Sequence, residues 1–121
     1  MDELIEDDEF LYRGVVESCW NFAENRPSSA AFKDSQGVSV DRDGGRNRDE
    51  CVRALLSKKD FLAVCRLTAG DARECDTVVK YLPVDDNEYH SEIHDSENQS
   101  EIKSKSKSRK LTLKSAVVHR Q

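Results

Sequence analysis

The chain has 121 residues, which is enough for one domain with a single modest core. Hydrophobic and charged residues each make up 36% of it, so part of the chain is expected to lie outside that core. The acidic N-terminus lacks the apolar stretch of a secretory signal, and no window approaches the roughly 18 apolar residues of a membrane span. We therefore expect a cytoplasmic protein without a membrane partner.

Charge is distributed unevenly along the chain. Residues 100–121 hold seven Lys or Arg and one Glu, a net charge of +6, whereas residues 1–99 have a net charge of −11. This division predicts an acidic N-terminal segment at residues 1–9, a folded domain at residues 10–95, and a basic, disordered tail at residues 96–121.

The first elements are short. Residues 10–16 are apolar, with aromatic and β-branched members, and predict a strand. Residues 17–25 predict a helical turn, which Pro27 would prevent from continuing. Residues 30–33 and 37–40 predict two further strands, separated by turn-forming residues.

A helix is predicted at residues 48–57. Asn47 precedes Glu50 by three positions, which is the spacing of a capping box. Val52 is followed by leucines at the i+3 and i+4 positions, so one face of this helix is apolar.

The second half of the domain is predicted to be mostly strand. Residues 61–68 and 77–82 are apolar runs bounded by turns, and residues 69–75 between them predict one helical turn. An acidic loop follows at residues 84–89, and His90 to His94 predict a short edge strand. The fold class is therefore α+β: one small domain with a short mixed or antiparallel sheet, one or two short helices, and a flexible basic C-terminal tail.

The predicted core contains the apolar residues of these elements. Its members are Phe10, Val15, Phe32, Val40, Leu55, Leu56, Phe61, Val64, Cys65, Leu67, Val78 and Val79. Of the four cysteines, Cys51 and Cys65 lie within apolar runs, so reduced, buried thiols are favoured over disulfides.

Residues 39–50 partly match the spacing of a calcium loop. The oxygen-bearing side chains at the matching positions are Ser39, Asp41, Asp43, Asn47 and Glu50. Position 1 of the loop is a serine instead of a carboxylate, and three arginines lie within it. We favour a strand, a turn and a capped helix, and keep calcium as the alternative.

The spacing of His90 and His94 makes zinc a second candidate ligand. Two histidines four positions apart share a helical face, but in a strand they lie about 13 Å apart, too far for one metal ion. No cysteine pair has the C-x2-C spacing, and no nucleophile or phosphate-binding motif is present. We expect no metal and no cofactor.

The order of Arg13, Ser28 or Ser29, and Glu92, with His90 nearby, resembles the Arg, Ser-x-Ser and Glu order of one class of ADP-ribosyltransferases. The resemblance implies that Arg13 would hold the NAD phosphate, a serine would brace the pocket, and Glu92 would orient the ribose. The serine motif reads SSA instead of Ser-Thr-Ser, and the acidic motif reads His-Ser-Glu instead of Glu-x-Glu.

Four short motifs also resemble those of a loosely defined group of small, uncharacterised bacterial proteins. They are Leu11-Tyr12-Arg13, Ser29-Ala30-Ala31-Phe32, Ser39-Val40-Asp41 and His90, and they span roughly residues 11–95. The resemblance implies a bacterial or mobile-element origin and brings no established activity with it.

The basic tail is the last candidate for a contact surface. Its cations alternate with serine: Lys103, Lys105, Lys107, Arg109 and Lys110. They predict contact with nucleic acid, an acidic partner or the acidic body of this chain, without base stacking, because no aromatic residue is interleaved.

These patterns favour a small non-enzymatic module, an accessory protein that binds a protein partner. The alternative from another class is a small NAD-using enzyme or toxin resembling the ADP-ribosyltransferases. A further alternative is an accessory protein that contacts nucleic acid through the basic tail.

Overall fold

The structure, a computed structural model, describes residues 4–121. Eight strands and three α-helices form in this part of the chain, together with two short 3₁₀ helices at Glu17–Cys19 and Ser29–Phe32. In chain order the elements are β1 Phe10–Val15, β2 Trp20–Asn21, β3 Arg26–Pro27, β4 Val38–Arg42, α1 Arg48–Leu56, β5 Ala63–Thr68, α2 Ala69–Glu74, β6 Val78–Tyr81, β7 His90–His94, α3 Lys105–Lys114 and β8 Ala116–Arg120.

Six of the strands form one antiparallel sheet in the order β6-β7-β4-β1-β5-β8, and β2 and β3 form a separate hairpin. The predicted α+β class with a small antiparallel sheet is confirmed. The expectation that residues 90–94 form an edge strand is wrong, because β6 pairs along the outer side of β7, with Val78 opposite His94.

The sheet separates two apolar clusters, because successive residues of a strand face opposite sides. On β1, Leu11 and Val15 contribute to the larger cluster, whereas Tyr12 contributes to the smaller one. The larger cluster includes side chains from α2, α3 and the Ser29–Phe32 3₁₀ helix. The smaller cluster includes Cys51, Val52 and Leu55 of α1. Each face of the sheet is therefore covered by different helices.

Helix α1 begins with the predicted capping box. The amide of Glu50 donates to Asn47 Oδ1 at 2.9 Å, and the amide of Asn47 donates to Glu50 Oε1 at 3.1 Å. Two amides of the first turn, which have no partner within the helix, are thus satisfied. The prediction for this helix is confirmed.

The predicted strand at residues 30–33 is wrong, because this segment forms the Ser29–Phe32 3₁₀ helix. Its carbonyls bond to side chains instead of to a neighbouring strand: Ala31 accepts from the Arg13 guanidinium, and Phe32 accepts from Ser108. The predicted strand that follows is confirmed as β4.

The expectation of a disordered tail at residues 96–121 is also wrong. Ile102 and Leu111 are fully buried in the larger cluster, and Ser108 donates to the Phe32 carbonyl at 3.1 Å. Strand β8 then pairs with β5 and extends the sheet. The segment is polar on average, but these two apolar side chains and the hydroxyl side chains of Ser108 and Thr112 are buried against the rest of the domain. A domain boundary at residue 95 is therefore incorrect.

The acidic N-terminal segment belongs to the same unit over its described part. Ile5 is buried in the larger cluster, and its carbonyl accepts from Arg73 Nη2 at 2.6 Å. Residues 1–3 lie outside the described residues. From residue 4 onward, no helix is long and apolar enough to cross a membrane.

Candidate functional site

Three histidine and glutamate side chains of β7 form a hydrogen-bonded row. Residues 90, 92 and 94 alternate onto one face, where both oxygens of Glu92 accept, one from His90 Nε2 at 3.0 Å and one from His94 Nε2 at 2.8 Å. Burial raises the pKa of Glu92, but these hydrogen bonds outweigh that effect and leave the pKa below its ordinary value. The carboxylate already has partners on both oxygens.

Beside this row, Asp41 lies at the base of a cleft with a volume of ≈ 170 Å³ that Phe61 and His90 help to line. Its side chain is only 5% exposed. The carboxylate accepts from Asn87 Nδ2 at 2.8 Å and lies 3.4 Å from Lys58 Nζ. This buried charge is therefore paired within the chain.

Arg13 connects two segments of main chain. Its Nε donates to the Ala31 carbonyl at 2.9 Å, and its Nη1 donates to the Ser39 carbonyl at 2.8 Å. Burial lowers the pKa of this guanidinium. These contacts join β1 to β4 and to the Ser29–Phe32 3₁₀ helix.

The residues that resemble an ADP-ribosyltransferase site are brought together only in part. Arg13 lies on the β1 face that carries Leu11 and Val15, whereas Glu92 lies on the face that carries Ser39, its cross-strand partner. The sheet therefore separates Arg13 from Glu92. Of the four candidates, His90 and Glu92 are joined by the 3.0 Å hydrogen bond, and Arg13 and His90 both help to line the ≈ 170 Å³ cleft beside Asp41.

The oxygens of the calcium alternative have separate roles. Asp43 accepts from the amides of Phe10 and Gly45, both at 2.9 Å, while Asn47 and Glu50 cap α1. Ser39 lies within β4, and Asp41 has the partners given above. Within residues 4–121, no three His, Cys, Asp or Glu side chains are grouped so that they could hold a metal ion.

A cleft of ≈ 370 Å³ lies where β4 meets the N-terminal segment, lined by Glu9, Arg42, Tyr81 and Tyr89 among others. Two of its charged groups are paired with each other: Arg42 donates to both oxygens of Glu9 at 2.7 Å and lies over the Tyr81 ring at 4.6 Å. The cleft is thus spanned by an internal ion pair.

The cysteines are free, and Cys51, Cys65 and Cys75 are buried. Burial raises the pKa of the Cys65 thiol to about 11, so this group stays protonated at neutral pH. A buried, protonated thiol is a poor nucleophile.

A different kind of site lies between α3 and the β2–β3 hairpin. We call this cleft, with a volume of ≈ 260 Å³, the α3 groove. It is lined by Asn21, Glu24, Arg26, Pro27, Ser28, Ser29, Lys105, Arg109, Thr112 and Leu113. The α3 residues are spaced at i, i+4, i+7 and i+8, which places them along one side of the helix.

The charges of the α3 groove are only partly neutralised. On the hairpin wall, Arg26 Nη2 bonds to Glu24 Oε2 at 2.9 Å, and Asn21 donates to the same oxygen. On the helical wall, Lys105 and Arg109 are exposed, and neither makes an ion pair with any residue from 4 to 121. The groove therefore holds two uncompensated positive charges.

The remaining cations of the predicted basic segment are placed differently. Lys107 Nζ bonds to Asp95 at 2.8 Å, and Lys114 Nζ bonds to Glu74 at 2.9 Å. Lys103 and Lys110 are exposed and do not line the groove. Only Lys105 and Arg109 of the five predicted contact residues lie in the groove.

The sequence did not reveal the hairpin wall of this groove. Arg26 and Ser29 are about eighty positions from α3 in the chain. The helical wall, in contrast, could have been predicted from the sequence. Ser104 is a typical N-cap residue, and its side chain accepts from the Lys107 amide. If residues 105–114 are taken as a helix, Lys105, Arg109 and Leu113 lie on one side of it because they are spaced at i, i+4 and i+8.

No family model, no curated protein and no solved structure matches this chain. Function is therefore argued from the arrangement of the side chains alone.

Proposed function

We propose that this protein is a small, non-enzymatic interaction module of the cytoplasm, and that its partner is a protein whose anionic segment binds in the α3 groove. The proposal rests on one observation: Lys105 and Arg109 line one wall of an open cleft, and neither has an ion-pair partner among the described residues. Two exposed charges without internal partners favour an anion from outside the chain.

The chemically reactive groups elsewhere support a non-enzymatic role. Glu92 has hydrogen bonds on both oxygens, Asp41 has two partners, and Arg13 is bonded to two main-chain carbonyls. A catalytic acid or base needs an atom free to reach a substrate. These groups instead hold the sheet and its loops together.

A protein partner fits the α3 groove better than nucleic acid does. Leu113 lines the groove and is 59% exposed, which offers an apolar contact to a peptide side chain. No aromatic residue among the described ones lines the groove, so stacking on bases is not provided. Ion pairs at Lys107 and Lys114 also interrupt the run of cations that would follow a phosphate backbone.

Site-specific photo-crosslinking in cells of the source organism tests the proposal. A photoreactive amino acid replaces Leu113 in the α3 groove or, as a control, Val84, which is exposed elsewhere on the surface. We expect a discrete protein adduct from position 113 and not from position 84. Lys105→Gln combined with Arg109→Gln should abolish the adduct.

The matched charge control is Lys103→Gln combined with Lys110→Gln, which removes the same charge outside the groove. This variant should retain the adduct. The proposal fails if position 113 gives no adduct, if the control variant loses the adduct to the same extent, or if the adduct is nucleic acid.

The enzymatic alternative is tested separately with Glu92→Gln, a substitution that keeps the size of the side chain. If the variant remains folded and retains its partner adduct but loses a cellular effect of the protein, a catalytic role for Glu92 replaces the non-enzymatic proposal.

A further inference from the structure

We infer that the anion bound in the α3 groove is a phosphoryl group on a serine or threonine of the partner. This inference rests on the proposed function and assigns the chemical class of the ligand. Two features of the groove support it, namely its charge and its set of free donors.

The first feature is charge. Arg26 and Glu24 compensate each other, which leaves Lys105 and Arg109 with a combined charge of +2 in the groove. A phosphoserine carries roughly −1.5 to −2 at neutral pH, whereas a glutamate or aspartate carries only about −1. A single phosphoryl group therefore neutralises both cations, and a single carboxylate leaves one of them uncompensated.

The second feature is the set of donors. The Arg109 guanidinium offers a planar fork and Lys105 an ammonium, and the two residues are one helical turn apart, about 6 Å along the axis. Across the groove, the Ser29 hydroxyl makes no hydrogen bond to any described residue. These three groups match the three acceptor oxygens of a phosphate monoester.

The walls of the groove are held in place before a ligand arrives. Pro27 and Thr112 are buried, and Thr112 Oγ1 donates to the Ser108 carbonyl at 2.9 Å. Ser108 in turn donates to the Phe32 carbonyl, at the end of the 3₁₀ helix that carries Ser29. Among the described residues, Glu24 is the one carboxylate that lines the groove, and its Oε2 accepts from Arg26 and Asn21.

The experiment uses the full chain and three degenerate peptide libraries. Each has random positions around a fixed central residue, which is phosphoserine, glutamate or serine. Binding is measured by fluorescence anisotropy, and the site is located from amide chemical shifts of the ¹⁵N-labelled protein. Degenerate flanks remove the dependence on one chosen sequence.

We expect the phosphoserine library to bind about tenfold or more tightly than the glutamate library, because charge-assisted hydrogen bonds are strong. Amide shifts should concentrate around Ser29 and residues 105–113. Lys105→Gln with Arg109→Gln should remove this binding, and Lys103→Gln with Lys110→Gln should retain it.

Other results overturn the inference in distinguishable ways. Equal binding of the phosphoserine and glutamate libraries in the groove would refute phosphoryl recognition and leave the proposed function intact. Failure of the phosphoserine library to bind would refute the inference, while the crosslink from position 113 would still decide the proposed function. Equal loss of binding in both charge variants would reveal unspecific attraction and also refute the inference.

Discussion

The ion pair between Glu9 and Arg42 ties the N-terminal segment to the sheet. Both side chains are 11% exposed, and Glu9 also accepts from the Gly44 amide at 2.9 Å. Hydrogen bonding from Arg42 lowers the pKa of Glu9 more than burial raises it, with a further contribution from the Gly44 amide. The ionised carboxylate is therefore favoured in the folded protein.

This lowered pKa predicts a pH dependence. The stabilisation by ionised Glu9 is complete at pH values above the pKa of Glu9 in the unfolded chain, which is about 4.3. This stabilisation is lost as the pH falls through the lower pKa that Glu9 has in the folded protein. Glu9→Gln should cost about 1.5–3 kcal/mol at pH 7 and much less at pH 2–3. Urea unfolding at both pH values measures this difference. Glu24→Gln, which alters an exposed ion pair, should cost little, and an equal loss at Glu9 and Glu24 would contradict the prediction.

We predict that Arg13 stabilises the folded protein through its hydrogen bonds to two main-chain carbonyls. Arg13→Met removes the donor to the partly buried Ala31 carbonyl and the donor to the exposed Ser39 carbonyl. Each hydrogen bond contributes about 0.5–1.5 kcal/mol, because water can replace the lost donor at an acceptor that is not fully buried. Chemical denaturation should show a loss of about 1–3 kcal/mol for the two bonds together. Stability equal to that of the parent chain would show that Arg13 does not hold these segments.

The capping box of α1 should contribute measurably to the stability of the domain. Asn47→Ala removes the acceptor for the Glu50 amide and should cost about 0.5–2 kcal/mol. Asn47→Ser keeps a capping oxygen and should restore most of the loss. Urea midpoints of the two variants compare them directly, and identical midpoints would mean that the side chain at position 47 does not cap α1.

The C-terminal elements are predicted to be integral to the domain. Deleting residues 103–121 removes Leu111 from the larger cluster and leaves the β5 edge without β8. We expect the truncated chain to lose its cooperative thermal transition, and amides of α3 and β8 in the full chain to be protected from hydrogen exchange. If the truncated chain melts like the full chain, this prediction is wrong and the C-terminal residues are a disordered tail.

Elements specified by local patterns were predictable from the sequence. Helix α1 is defined by its cap and its i, i+3, i+4 apolar spacing, and β5 is defined by a continuous apolar run. In α3, by contrast, the buried side chains include Ser108 and Thr112, which a hydrophobic pattern does not reveal. Their hydrogen bonds to distant carbonyls exist only after the chain has folded.

Parts of the core were missed for a related reason. Ile5 and Ile102 lie in polar surroundings in the sequence, yet both are buried in the larger cluster. Five residues of the predicted core are only half-buried: Phe10, Leu56, Phe61, Val78 and Val79. The two valines lie on the edge strand β6. Strand order decides this difference, and strand order does not follow from the pattern of a single strand.

The α3 groove is a product of tertiary structure. Its two walls meet where Thr112 Oγ1 lies 3.5 Å from the Ser28 carbonyl, across 84 positions of the chain. The sequence showed a basic segment and a serine-rich segment, but not that they face each other. When residues 105–120 fold against the rest of the domain, Lys105 and Arg109 of the basic segment therefore come to lie in one groove with the β2–β3 hairpin.

We expect this groove, and not positive charge in general, to bind a protein partner. The most direct measurement is quantitative affinity capture from the source organism, comparing Lys105→Gln with Arg109→Gln against Lys103→Gln with Lys110→Gln at equal protein levels. A specific partner should be lost from the first variant and retained by the second, since only the first alters the groove. Equal recovery of that partner by both variants, or equal loss from both, would contradict this expectation.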